Sequence, residues 1–86
     1  IILIIMKKIL YFTAAWCGPC KALGPIMDSL QGQINFDKID VDSNTELSAQ
    51  YGVRGVPSLI LLENGEEVSR LVGVQSKETI LNLYNG

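Results

Sequence analysis

The chain contains no histidine and only two cysteines among its 86 residues. A structural zinc site takes four Cys or His ligands, so these donors cannot build one, and no metal is expected. Two thiols make at most one intrachain disulfide. Charge of either sign is scarce: seven Lys and Arg against nine Asp and Glu leave a formal net charge of −2, which offers no basic stripe to a nucleic-acid backbone. Long apolar runs are also missing. The longest, Ile1 to Met6, stops at Lys7 and Lys8, far short of the about 18 residues that a membrane-crossing helix needs. A secretory leader is not expected either. Met6, Lys7 and Lys8 give a charged start before Ile9, Leu10, Tyr11 and Phe12, but the apolar stretch is too short and Trp16 stands where a small residue should precede a cut.

What remains is 48% hydrophobic and 19% charged, an ordinary globular balance in a chain with room for one core. At roughly 0.05–0.15 kcal/mol per residue, such a chain has a net stability of about 4–13 kcal/mol, so its elements must be few and well packed.

No repeat or low-complexity stretch interrupts the chain. Residues 7–13 hold Ile9, Leu10, Tyr11 and Phe12, a β-branched and aromatic run whose continuous apolarity suits a central strand covered on both faces. Pro19 fits a first helical turn, and Ala22, Leu23, Ile26, Met27 and Leu30 recur at helical spacing up to Gly32, with Pro25 predicting a kink. Residues 34–41 alternate as a second strand, Phe36 and Lys38 on one side and Ile39 and Val41 on the other. Ser43 or Asn44 caps a short helix through Glu46, Leu47 and Tyr51 that Gly52 ends. Residues 58–62 are apolar, Asn64-Gly65 is a strong hairpin signal, and residues 68–72 return antiparallel. Ser76 caps a last helix that buries Ile80, Leu81, Leu83 and Tyr84 and turns Lys77 and Glu78 outward. The expected fold class is α/β, in the order β-α-β-α-β-β-α: a parallel crossover joined to an antiparallel hairpin, giving a mixed four-stranded sheet with helices on both faces.

Cys17-Gly18-Pro19-Cys20 falls between the first strand and the first helix. Unpaired N–H groups and the positive end of the helix dipole favour a thiolate there. Cys17, placed at the exposed end of the motif, is the expected attacking sulfur. Cys20, three residues on and on the same helix face, is the expected resolving thiol. Two plainer readings compete with redox chemistry. A purely structural disulfide would close a very short loop and add little stability, and half a zinc site would need ligands the chain lacks. Cys-x-x-Cys beside a β-α-β pattern favours the redox reading.

Ala15-Trp16-Cys17-Gly18-Pro19-Cys20-Lys21 resembles the active-site signature of the thioredoxin family. The resemblance continues through Tyr51-Gly52-Val53-Arg54-Gly55-Val56-Pro57-Ser58-Leu59, Asn64-Gly65 and Val72-Gly73, in the same order, and runs from Lys7 to the end. It implies a thioredoxin-like three-layer fold and a protein-disulfide oxidoreductase that reduces partner disulfides by dithiol–disulfide exchange. Pro57 matches the family's cis-proline beside Cys17. By the same resemblance, Val56 offers backbone groups to an extended substrate segment, and Trp16, Gly18, Pro19, Val56, Pro57 and Gly73 form the docking surface. Trp16 as mere core, Pro57 in an ordinary trans turn and Gly73 as a simple turn residue are the plainer alternatives. Lys21 adds positive potential near the thiolate.

The resemblance fails at one functional position. The family's partly buried lysine matches Lys38, but its buried aspartate, six residues before Cys17, is replaced by Tyr11. A phenol with a reference pKa of about 10 is a poor base near neutrality, which makes Tyr11 core packing first and a modulator second. Proton transfer at Cys20 is left to water, Lys38 or the Tyr11 hydroxyl. Thr13 stands where the family has a second tryptophan.

The family also begins with an extra strand and helix. This sequence starts almost at the central strand, which implies a minimal core of glutaredoxin-like length with residues 34–41 at an exposed sheet edge. Met6 reads as a natural start, so residues 6–86 are expected to form the domain. Ile1 to Ile5 then form an apolar extension that prolongs the central strand outward, pairs with a second copy of an otherwise monomeric chain, or lies outside the native protein. The resemblance further implies no bound cofactor, disulfide-containing protein substrates, an NADPH-dependent flavin-containing thioredoxin reductase as electron donor, and a cytoplasmic location. The alternatives are a glutathione-linked, glutaredoxin-like reductase and a non-enzymatic binding subunit.

Overall fold

A computed structural model describes residues 5–86. Residues 1–4, most of the expected extension, lie outside the described residues. The elements are β1 (Lys7–Thr13), α1 (Gly18–Ser29), β2 (Phe36–Asp40), α2 (Thr45–Gln50), β3 (Ser58–Glu63), β4 (Glu66–Val72) and α3 (Lys77–Asn85), in the expected order. The sheet runs β2-β1-β3-β4, with β1 parallel to β2 and antiparallel to β3, and β3 antiparallel to β4.

Side-chain alternation along β1 and β3 sorts the core into two layers. Ile9, Tyr11, Leu59 and Leu61 face α1 and α3, packing on Leu23, Met27, Leu30 and Ile80. Leu10, Phe12, Ile60 and Leu62 face the other way, where Leu47 of α2 and Tyr51, its C-cap, cover them. Both faces of the two central strands are therefore buried, which is why their sequences read as unbroken apolar runs.

The boundaries differ from the sequence reading at several points. Helix α1 passes through Pro25 without a break and ends at Ser29, with Leu30 as its C-cap, while Gly32 adopts φ +84° in the following turn. Ala22 is exposed rather than part of the buried stripe, because α1 lies on the sheet along the line of Cys20, Leu23 and Met27. Strand β2 is shorter than residues 34–41, since the Ile34 N–H turns back to the Leu30 carbonyl. Asn44 is the N-cap of α2 by position, but its side-chain amide donates to the Asp40 carbonyl at 3.0 Å and caps nothing. In α3 only Ile80 is fully buried, and Leu81, Leu83 and Tyr84 are half-buried. Ser76 does cap that helix, its hydroxyl accepting from the Thr79 N–H at 3.1 Å.

The β3–β4 hairpin turns on Asn64 (φ +53°) and Gly65 (φ +86°). Two consecutive positive φ values match the right-handed twist of the strands they join. A Cβ at Gly65 would meet nothing within 4 Å, so the cost of replacing it is backbone strain alone. Gly65→Ala should lower unfolding free energy by about 1–2 kcal/mol, read as a lower urea midpoint at unchanged slope.

The ladder shifts register between Leu61 and Leu62. Across that irregularity Arg70 grips both carboxylate oxygens of Glu67 at 2.6 and 2.7 Å and donates to the Tyr51 carbonyl at 2.6 Å, tying β4 to the end of α2. The hydrogen bond from Arg70 holds the Glu67 carboxyl below its ordinary value of 4.5. A lowered folded value means that the stabilisation is present above the unfolded value and is lost as pH falls through the folded one. Both side chains are one-third exposed, and screening limits the pair to a few tenths of a kcal/mol, roughly. Glu67→Gln should therefore lower the melting temperature slightly at pH 7, with the difference vanishing once Glu67 is protonated in both states.

Candidate functional site

Strand β1 ends at Thr13, and the chain turns through Ala14, Ala15 and Trp16 into Cys17, the N-cap of α1. Cys17 keeps extended backbone (φ −88°, ψ 117°), and its sulfur accepts the Cys20 N–H at 3.2 Å, filling the capping role usually taken by a serine or aspartate oxygen. The Cys20 N–H thus points at this sulfur, and an anion there is stabilised by both that hydrogen bond and the helix dipole. Pro19 sits in the same turn, where its missing N–H leaves no orphan. Cys17 and Cys20 are joined as a disulfide, with Cα atoms 5.2 Å apart.

Cys17 is not the exposed end of the motif. It is 4% exposed, the same as Cys20. The reason is a loop that arrives from 39 residues away: the Val56 carbonyl oxygen lies 3.5 Å from Cys17 Sγ, and Val56 and Val41 pack against the cluster that Ala14, Cys17 and Cys20 form. The Val56–Pro57 peptide bond is cis, Pro57 is buried, and the Pro57 carbonyl accepts the Gly73 N–H at 2.8 Å. Gly73 itself adopts φ +92°. The expected docking residues Trp16, Gly18, Pro19, Val56, Pro57 and Gly73 thus come from three segments to the neighbourhood of the cysteine pair.

Trp16 is 68% exposed, which removes the core reading. Its indole N–H donates to Asp42 Oδ2 at 2.8 Å, so the ring is held at one end while its faces stay bare. The residue spacing gave no hint of Asp42, which lies 26 positions from Trp16. An exposed indole beside a nucleophile wants an acceptor, and a carboxylate just beyond β2 was the available signal. Val72 and Val74 add exposed apolar surface at and beyond the end of β4.

Behind the pair lies a recess of about 410 Å³, lined by Cys20, Tyr11, Thr13, Lys21, Lys38 and Asp40 among others. Tyr11 is buried in the α1-facing core layer with its ring edge-on to Phe36, as expected of a packing residue. Lys38 is exposed, not partly buried, because β2 is an edge strand and its side chain there reaches water. Lys21, next to the motif, is exposed as well. Among the described residues no helix is long and apolar enough to cross a membrane.

This chain matches the family model for thioredoxin over residues 4–85. It is 40% identical over 77 residues to the thioredoxin of Chlamydia caviae, covering 86% of this chain and 76% of that one. With the thioredoxin of Haemophilus influenzae it shares 41% identity over 81 residues, or 90% and 76% of the two chains. Among solved structures, a single-substitution mutant of thioredoxin from Halobacterium salinarum superposes with a TM-score of 0.86 at 42% identity, covering 92% of this chain and 72% of that one. The chain belongs to the thioredoxin family, and its Cys17–Cys20 pair makes it a thiol–disulfide oxidoreductase.

Proposed function

We propose, with that membership as premise, that Cys17 is the attacking sulfur and Cys20 the resolving one in the reduction of disulfides in partner proteins. In the dithiol form the Cys17 thiolate attacks one sulfur of the partner's disulfide, and the other sulfur leaves as a thiolate and takes a proton. Cys20 then loses its proton and attacks Cys17 Sγ, breaking the mixed disulfide and releasing the second partner thiol. Two electrons pass from the chain to the partner, and the Cys17–Cys20 disulfide remains.

The observation that carries this order of events is the capping bond from the Cys20 N–H to Cys17 Sγ. It supports the thiolate on Cys17 alone and leaves Cys20 one turn inside the helix. Trp16, Gly18, Pro19, Val56, Pro57 and Gly73 form the surface on which the partner lies. Val56 precedes the first β3–β4 ladder pair, Ser58 with Val72, so its backbone lies outside the sheet and is placed to pair with an extended segment.

A flavin-containing, NADPH-dependent reductase returns the electrons, and the dithiol is kept reduced in a cytoplasmic setting. The test compares electron donors for turbidimetric insulin reduction by the full chain. Turnover supported by such a reductase and not by glutathione is expected. Turnover driven equally well by glutathione would move the chain to a glutaredoxin-like role.

A further inference from the structure

The resolving step requires Cys20 to shed a proton while the partner covers the docking face. Cys20 is 4% exposed, and its opening to water on the far side is the recess behind α1. At about 410 Å³ it has room for several water molecules. Its walls follow from strand periodicity: Tyr11 and Thr13 of β1 stand in register with Lys38 and Asp40 of β2, all on the face toward α1. From α1 come Cys20 and Lys21. Among the described residues, Asp40 is the one carboxylate lining this space.

We infer that Asp40, acting through water in this recess, is the acceptor for the Cys20 proton during resolution of the mixed disulfide. The inference rests on the assignment of Cys20 as the resolving thiol. Asp40 Oδ1 accepts the Asp42 N–H at 2.8 Å, which anchors the carboxylate at the end of β2 and leaves Oδ2 for water. The charged and titratable groups around it are Lys38 on its own strand, Tyr11 on β1 and Lys21 on α1, with Asp42 in the next turn committed to Trp16. The proton leaves the Cys20 thiol for water and passes to the Asp40 carboxylate and then to solvent. The Cys20 sulfur bonds to Cys17 Sγ, and the electron pair of the broken mixed disulfide leaves on the partner's sulfur. Asp40 touches no reacting atom and is a positioning residue for the proton path.

Stopped-flow reaction of the reduced chain with Ellman's reagent separates the two steps. The first thionitrobenzoate reports attack by Cys17, and the second reports resolution by Cys20. Asp40→Asn keeps the oxygen that takes the Asp42 N–H and should slow the second phase about tenfold near pH 7, a modest share of what a positioned base contributes. It should also change the pH profile of that phase, which a merely structural role of Asp40 would leave unmoved. Asp40→Glu should recover the rate to within about threefold and return the pH profile toward that of the unsubstituted chain. A second phase that keeps its rate and pH profile in Asp40→Asn would overturn the proton path. A first phase that survives in Cys17→Ser would instead overturn the order of attack on which it rests.

Discussion

Cys17→Ser should abolish disulfide reduction, lowering turnover by on the order of 10³ or more, while Cys20→Ser should stop turnover and yet accumulate a mixed disulfide. The asymmetry follows from the geometry. Cys17 Sγ receives the Cys20 N–H at the positive end of α1, whereas Cys20 lies one turn inside. A serine hydroxyl keeps the cap but is not ionised near neutrality, so Cys17→Ser should fold and fail to attack. Cys20→Ser keeps the attacking thiolate and removes only the sulfur that releases the partner. Non-reducing electrophoresis after mixing with a disulfide-bearing protein reads the difference. A stable adduct is expected from Cys20→Ser and none from Cys17→Ser.

Phe12→Ala should bring the chain close to unfolding. Phe12 is completely buried in the layer between the sheet and α2, with its ring 6.3 Å from that of Tyr51. Truncating a buried phenylalanine costs about 3–5 kcal/mol through lost burial and the cavity left behind. A chain of this length has a net stability of only about 4–13 kcal/mol. Urea unfolding followed by Trp16 fluorescence should therefore show a midpoint reduced by about a quarter or more, a share that follows from those two ranges. Because α2 contributes no fully buried residue of its own, its covering role depends on the apolar sheet face that Phe12 dominates.

The strands and the hairpin were legible because each carries its own local signal. Ile9 to Phe12 and Leu59 to Leu62 are apolar without interruption, since both layers of the core use them. Asn64 and Gly65 take the positive φ values that their residue types favour. The cysteine pair was legible for a similar reason: strand end, motif and helix start are adjacent in the chain.

What stayed hidden depends on contacts between distant residues. The burial of Cys17 comes from Val56, 39 positions away, and sequence spacing carries no record of that approach. The hydrogen bond from Trp16 to Asp42 spans 26 positions. Lys38 matches a partly buried position by resemblance, but its solvent exposure is set by its place on β2, an edge strand. Asp40, a lone acidic residue at a strand end, carries no local signal, and only the register with Thr13 places it against the recess behind Cys20.

The preference for Cys17 over Cys20 is the centre of this account, and alkylation of the fully reduced chain tests it most directly. Treated with limiting iodoacetamide at pH 7 and mapped by mass spectrometry, Cys17 should be modified at least about tenfold faster than Cys20, because the sulfur at the helix N-terminus carries the thiolate. Equal labelling of the two cysteines, or faster labelling of Cys20, would contradict it.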